Sequence, residues 1–101
     1  MAKTSKIVKN EERKVLVARH AEKRKALKAI ILSPKTSDED RLTAYSKLRK
    51  LPRNSSMIRI RNRCSMSGRA RGFEGYFGLS RLALREMALN GLIPGVRKAS
   101  W

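Results

Sequence analysis

The sequence predicts a mostly α-helical chain with extended and loop segments, and three observations lead there. First, residues 3–28 contain ten basic and three acidic residues, no Gly and no Pro, and are rich in strong helix formers. Second, two stretches carry helix start and stop signals, Ser37 to Pro52 and Ser80 to Gly91. Third, the stretch between them alternates Ile and Arg and then places four Gly within eleven residues, Gly68, Gly72, Gly75 and Gly78, which no continuous helix tolerates.

The first element is a long basic N-terminal helix. Its apolar residues, among them Ile7, Val8, Val15, Leu16, Val17, Leu27 and Ile30, form no continuous stripe, so it is expected to lie on something outside the chain. Ser33-Pro34 ends it. Ser37 followed by Asp38, Glu39 and Asp40 forms a capping box, with acidic groups at the positive end of a second, short helix that runs to about Lys50. Leu42, Tyr45 and Leu48 give that helix a short apolar face before Pro52 stops it.

From Arg53 to Arg71 the chain holds six Arg and no acid. The alternation Ile58, Arg59, Ile60, Arg61, Asn62, Arg63, Cys64 has period two. It predicts a strand or extended segment with the guanidinium groups on one side and Ile58, Ile60 and Cys64 on the other. The glycine stretch that follows is expected to be a loop, with Phe73, Tyr76 and Phe77 in it. Phe77 is expected in the core, whereas Tyr76 stays open between core and base stacking. Ser80 is the N-cap of a third helix through Leu89, closed by Asn90-Gly91, and residues 92–101 form an extended tail. The expected division is a basic helical extension, residues 1–52, and an Arg-rich segment with a C-terminal module, residues 53–101.

Composition narrows function. Lys and Arg number 25 against 8 Asp and Glu, a net charge of +17, and the pI is about 11.3. A chain of 101 residues has little surface to bury in a catalytic core. Its self-repulsion calls for a polyanionic partner. No stretch approaches the roughly 18 apolar residues of a membrane span, and the N-terminus has no hydrophobic centre of a secretory signal. Glu11, Glu12 and Glu22 argue against a mitochondrial presequence, so the start is expected to be mature protein. The single Cys64 forms no internal disulfide and is expected to pack as a small apolar side chain. His20, the single histidine, sits among Arg19, Lys23 and Arg24 and is expected to be solvated or phosphate-facing, not catalytic. The glycines match neither Gly-rich phosphate fingerprint. What remains is the cationic run, which prefers Arg, the side chain whose planar fork binds phosphate bidentately and stacks on bases. With little apolar surface to bury, the N-terminal helix and tail are expected to become ordered on their partner.

Several motifs then come together: Leu51-Pro-Arg-Asn-Ser-Ser56, Arg61-Asn-Arg-Cys64, Ser67-Gly-Arg-Ala-Arg71, Phe77-Gly-Leu-Ser-Arg81, Leu84-Arg-Glu86 and the ending Ile93-Pro-Gly-Val-Arg-Lys-Ala-Ser-Trp101. Over the whole length the chain resembles the small-subunit ribosomal protein fourteen family, in its longer bacterial form. The resemblance implies a degenerate zinc-ribbon-like C-terminal module. Cys64, Ser67, Ser80 and Ala83 have the spacing of four ribbon ligands, but three of the four supply no thiolate, so neither a metal nor another cofactor is expected.

It further implies a structural component of the small-subunit head that binds the 3′ major domain of the small-subunit ribosomal RNA and supports assembly and the geometry near the decoding A site. Proteins three, ten and nineteen would be its neighbours, with no membrane and no small-molecule substrate. The implied location is the cytoplasm, in ribosomes, and the same reasoning admits an organellar ribosome. Matching motif positions give Arg61, Arg63, Arg69, Arg71, Arg81, Arg97 and Lys98 as RNA contacts. Arg53 and Arg59 join them from the cationic segment, and Tyr76 and Trp101 are candidates for base stacking. Two positions depart from the family pattern: Ala70 stands where Pro is common, and Glu74-Gly75-Tyr76 replaces a more basic stretch. The alternative reading is a free-standing architectural nucleic-acid binder or RNA chaperone. A zinc-dependent regulator or enzyme is disfavoured, since Cys64 and His20 are the soft ligands present.

Overall fold

The computed structural model describes residues 2–100. Three helices dominate: α1 (Thr4–Leu32), α2 (Asp38–Lys50) and α3 (Arg81–Leu89), with a two-stranded sheet of β1 (Phe73–Glu74) and β2 (Leu79–Ser80). The chain divides into two compact units, one of residues 9–60 and one whose described residues are 2–8 and 61–100.

In the unit of residues 9–60, local chemistry sets the helix ends. The Ser37 hydroxyl accepts from the Asp40 N–H at 3.3 Å and donates to the Asp40 carboxylate at 2.9 Å. Ser37 thus caps the helix as expected, but the Asp40 carboxylate accepts from its hydroxyl, where the carboxylate of a capping box accepts from the cap N–H. Arg41 reaches back to the Ser33 carbonyl at 3.1 Å, placing a cation at the negative end of α1. The inner face of α2 differs from expectation. Ala44 is buried, while Leu42 and Tyr45 stand exposed. Arg41, Ala44 and Leu48 lie within about 60° of one another on a helical wheel, a narrower stripe than 42, 45 and 48, and that stripe turns inward. Ala44 borders a cleft with Leu27 and Ile30 of α1.

The alternating segment, residues 58–64, forms no strand: Ile58 and Arg59 lie in a 3-10 turn, and residues 60–64 carry no regular element. Arg53–Ser55 and Met57–Arg59 wind into two 3-10 turns. The N–H groups of Ser55, Ser56, Arg59 and Ile60 each bond three residues back, at 3.1–3.2 Å. A lone period-two segment has no neighbour to satisfy its backbone, and local closure supplies the missing partners. Ile58 consequently points outward, 90% exposed. The Arg24 guanidinium donates from Nε to the Ser55 hydroxyl at 2.9 Å and from Nη2 to the Pro52 carbonyl at 3.3 Å. The Ser55 hydroxyl also donates to Pro52. Arg24 thus clamps the first turn to α1.

In the other unit, the glycine stretch expected to be wholly loop folds into a hairpin. β1 and β2 pair antiparallel with Phe73 opposite Ser80 and Glu74 opposite Leu79. The Arg81 N–H to Gly72 carbonyl bond, 2.7 Å, extends the ladder. Before it lies a tight turn in which the Gly68 N–H bonds the Cys64 carbonyl and the Cys64 N–H bonds the Arg69 carbonyl, both at 2.9 Å. Gly68 has φ +73°, and a Cβ there would stand 2.5 Å from Ile7 Cδ1. Glycine is required on both counts. The Ser65 N–H ties this turn to the Gly78 carbonyl at 3.1 Å.

Ser80 ends β2 and caps α3, accepting from the Ala83 N–H at 3.3 Å. At the far end, the Leu92 N–H bonds Met87 O and the Gly91 N–H bonds Ala88 O, a Schellman closure with Gly91 left-handed. The apolar core of the described residues is Ala44, Cys64 and Leu79. Phe77, expected inside, is 37% exposed instead, because the two-residue strands offer no second layer to cover a ring.

Candidate nucleic-acid interface

The arginines are distributed differently from a one-sided ladder. In the unit of residues 9–60, Arg53 and Arg59 are exposed, and the Arg59 Nη1 donates to the Asn54 side chain at 3.3 Å. In the other unit, Arg61 and Arg71 are exposed, whereas Arg63 and Arg69 are half-buried. The Arg63 Nη1 donates to the Gly68 carbonyl at 2.9 Å, so this guanidinium helps to build the turn. The Nε atoms of Arg63 and Arg69 are shielded and meet no acceptor of the chain.

The clearest gathering of predicted residues is at α3. Arg81, the first residue of the helix, shares a cleft with Arg97 and Lys98 of the tail. Arg85, one turn after Arg81, lines it too. The i, i+4 relation of Arg81 and Arg85 is the signal in the sequence that marks it. Arg24 is the second cation missed there. Its partners Pro52 and Ser55 are distant in sequence, and no local pattern announces them.

Tyr76 is 92% exposed. It meets Phe77 edge to face, with ring centroids 4.9 Å apart and planes at 81°. Trp101 lies outside the described residues. His20 is half-buried, its Nδ1 shielded and without a hydrogen-bond partner.

Cys64 is 3% exposed. Burial pushes its thiol up, but the neighbouring Ser67 side chain and the backbone dipoles of Ser67, Ser80 and Met66 outweigh that and bring it down to about 6. The Ser67 N–H lies 3.5 Å from Sγ. Of the four ribbon positions, Ser67 meets the Cys64 sulfur through its N–H, and the Ala83 N–H serves the Ser80 hydroxyl. One thiol, two hydroxyls and a methyl do not fit zinc. Among the described residues there is no group of three His, Cys, Asp or Glu side chains placed to hold a metal ion.

The family model for Ribosomal protein S14p/S29e matches residues 47–100. The chain is 60% identical to the small ribosomal subunit protein uS14 of Corynebacterium diphtheriae, over all of both chains. It belongs to the ribosomal protein S14p/S29e family. The uS14A protein of Mycolicibacterium vanbaalenii is 57% identical and the uS14 protein of Opitutus terrae 56%, again over the full length of both chains. These family relatives extend the likeness through α1 and the start of α2, which precede the part matched by the family model. The resemblance drawn from the sequence motifs is thereby established. No helix among the described residues is long and apolar enough to cross a membrane.

Proposed function

We propose that this ribosomal protein is a structural, non-catalytic component of the small ribosomal subunit, bound in the head to the 3′ major domain of the small-subunit RNA near the decoding A site. Proteins three, ten and nineteen are its neighbours there. The observation that supports this best is the combination of a +17 charge with a core, among the described residues, of three small or medium side chains. Such a chain buries little apolar surface of its own and carries far more cations than its own carboxylates can meet.

In this reading, Arg53, Arg59, Arg61, Arg69, Arg71, Arg81, Arg97 and Lys98 face phosphates, and Arg63 does so with the donors that the Gly68 carbonyl leaves free. Each phosphate contact releases condensed counterion and steepens the dependence of log K on log salt by about 0.7–0.9. Arg forks and backbone N–H groups fix the register on a folded RNA shape. Residues 1–52 act as a basic helical extension and residues 53–101 as the RNA-binding module. Tyr76, and Trp101 at the chain end, stack on unpaired bases. The Cys64–Ser67 and Ser80–Ala83 turns serve as the knuckles of a ribbon that holds no metal.

The test is sedimentation of a tagged copy from cells through high-salt sucrose gradients, with cross-linking to identify the attached RNA. The expected result is stoichiometric retention on small subunits, with cross-links from Arg53–Arg71 into the 3′ major domain. Release into the soluble fraction, with cross-links scattered over many RNAs, would overturn it in favour of a free RNA chaperone.

A further inference from the structure

α3 has no buried residue, and its two long faces line two different clefts. One cleft is apolar, with Met66, Leu82, Met87 and Leu92, and its charged members Arg69 and Glu86 are of opposite sign. Nothing about it selects an occupant. The other has an apolar floor of Leu84, Ala88, Leu89 and Val96, bordered by four cations, Arg81, Arg85, Arg97 and Lys98, against one carboxylate, Glu74. Its volume is about 210 Å³. That is below the roughly 300–1,000 Å³ of pockets that take a whole small ligand.

We propose that this cleft between α3 and the tail holds one unpaired RNA nucleotide, with its base on the Leu84–Ala88–Leu89–Val96 floor and its flanking phosphates on Arg81, Arg85, Arg97 and Lys98. The inference rests on the RNA-binding reading above and deepens it by naming the form of RNA recognised. Charge complementarity selects the occupant. An acidic peptide would satisfy the cations, but its carboxylates sit on flexible side chains and it has no flat apolar face to present. A nucleotide joins a flat ring to an anion at fixed distance, and bases stack on apolar and aromatic surfaces with little regard to sequence. A paired base is unavailable, because its faces are covered by its neighbours in the helix. Glu74, an acceptor-only group, suits the amino edge of a base and repels phosphate. It therefore orients the nucleotide with its phosphates toward the four cations.

Arg81 is held ready for this. Its Cγ and Cδ lie about 3.1 Å from where a Gly72 side chain would begin, so the stem runs along bare backbone. Arg81 and Arg85 follow one another by one helical turn, which places both guanidinium groups along the same edge of the floor.

The experiment measures equilibrium binding of the full chain to two RNA hairpins, identical except for one bulged adenosine, across a series of salt concentrations. The wild type is expected to bind the bulged hairpin about ten-fold more tightly. Ala88→Leu fills the floor while leaving every cation in place. It should remove most of that preference and leave the salt slope unchanged. Arg85→Gln should retain a preference and lower the slope by about 0.7. Because Ala88 is half-buried, Leu89→Ser is the companion variant: at 57% exposure Leu89 can be trimmed without unfolding the helix, and the preference should again fall. Salt-dependent binding with no bulge preference in the wild type, or a preference undiminished in both floor variants, overturns the nucleotide cleft and leaves the RNA reading standing. Absence of salt-dependent binding to either hairpin overturns both.

Discussion

The two units of the chain hold themselves together by different means. In residues 9–60 the order is mostly written locally: α2 is started by Ser37 and stopped at Pro52, and α1 is closed by a cation eight residues beyond its last carbonyls. The exception is the Arg24 clamp on Ser55 and Pro52. In the unit of residues 2–8 and 61–100 the order is long-range. Ile7 seats on Gly68, Ser65 bonds Gly78, and Arg81 bonds Gly72. One unit can lose a contact and fray at an end, while the other loses its shape as a whole.

Gly68→Ala gives the sharpest contrast. A left-handed backbone position costs an L-residue about 1–2 kcal/mol, and forcing Ile7 aside adds a similar overpacking penalty, for about 3 kcal/mol in all. Thermal denaturation should show the long-range unit melting early, with the α1–α2 helicity largely retained by circular dichroism. Simultaneous loss of both would erase the distinction between the units.

Next comes a pH dependence confined to the same unit. The Cys64 thiol ionises at about 6 when folded, against 9.0 ordinarily. Between those values the unfolded chain holds a proton that the folded chain has released, so stability rises as pH rises from 6 to 9. Below pH 6 both forms are protonated and the contribution is lost. Melting of the wild type across that range should show the rise, and Cys64→Ala should flatten it.

The smallest effects compare the two serine caps. Ser80→Ala removes a buried cap that also closes the hairpin, for about 1 kcal/mol, whereas Ser37→Ala removes an exposed one, for about 0.5 kcal/mol. Hydrogen exchange should report Ser37→Ala as fraying of the first turn of α2 alone, and Ser80→Ala as faster exchange through both β2 and α3.

The same division explains what the sequence made legible. Helix starts and stops were visible because each depends on residues no more than one turn apart: Ser37 with Asp40, Ser80 with Ala83, and Gly91 after Asn90. The hairpin and the Cys64 turn were hidden, since their partners are brought together by a backbone path that periodicity does not encode. The Ile-Arg alternation at 58–64, which predicts a strand or extended segment, forms no strand for a related reason. Period two describes a strand only where a second strand is present to pair with it. At the interface, Arg81, Arg97 and Lys98 were legible as cations, and only the fold placed them around one floor with Arg85. Arg24, in the same basic run as the solvated lysines, turned out to hold the chain to itself.

The seating of Ile7 against Gly68 also has a temporal meaning. A chain is made from its N-terminus at about 5–20 residues per second, so residues 2–8 emerge well before the glycine they rest on. The unit of residues 9–60 has all its own members while Ile7 still waits for Gly68. The seat of one of the first side chains made is thus among the last contacts to form.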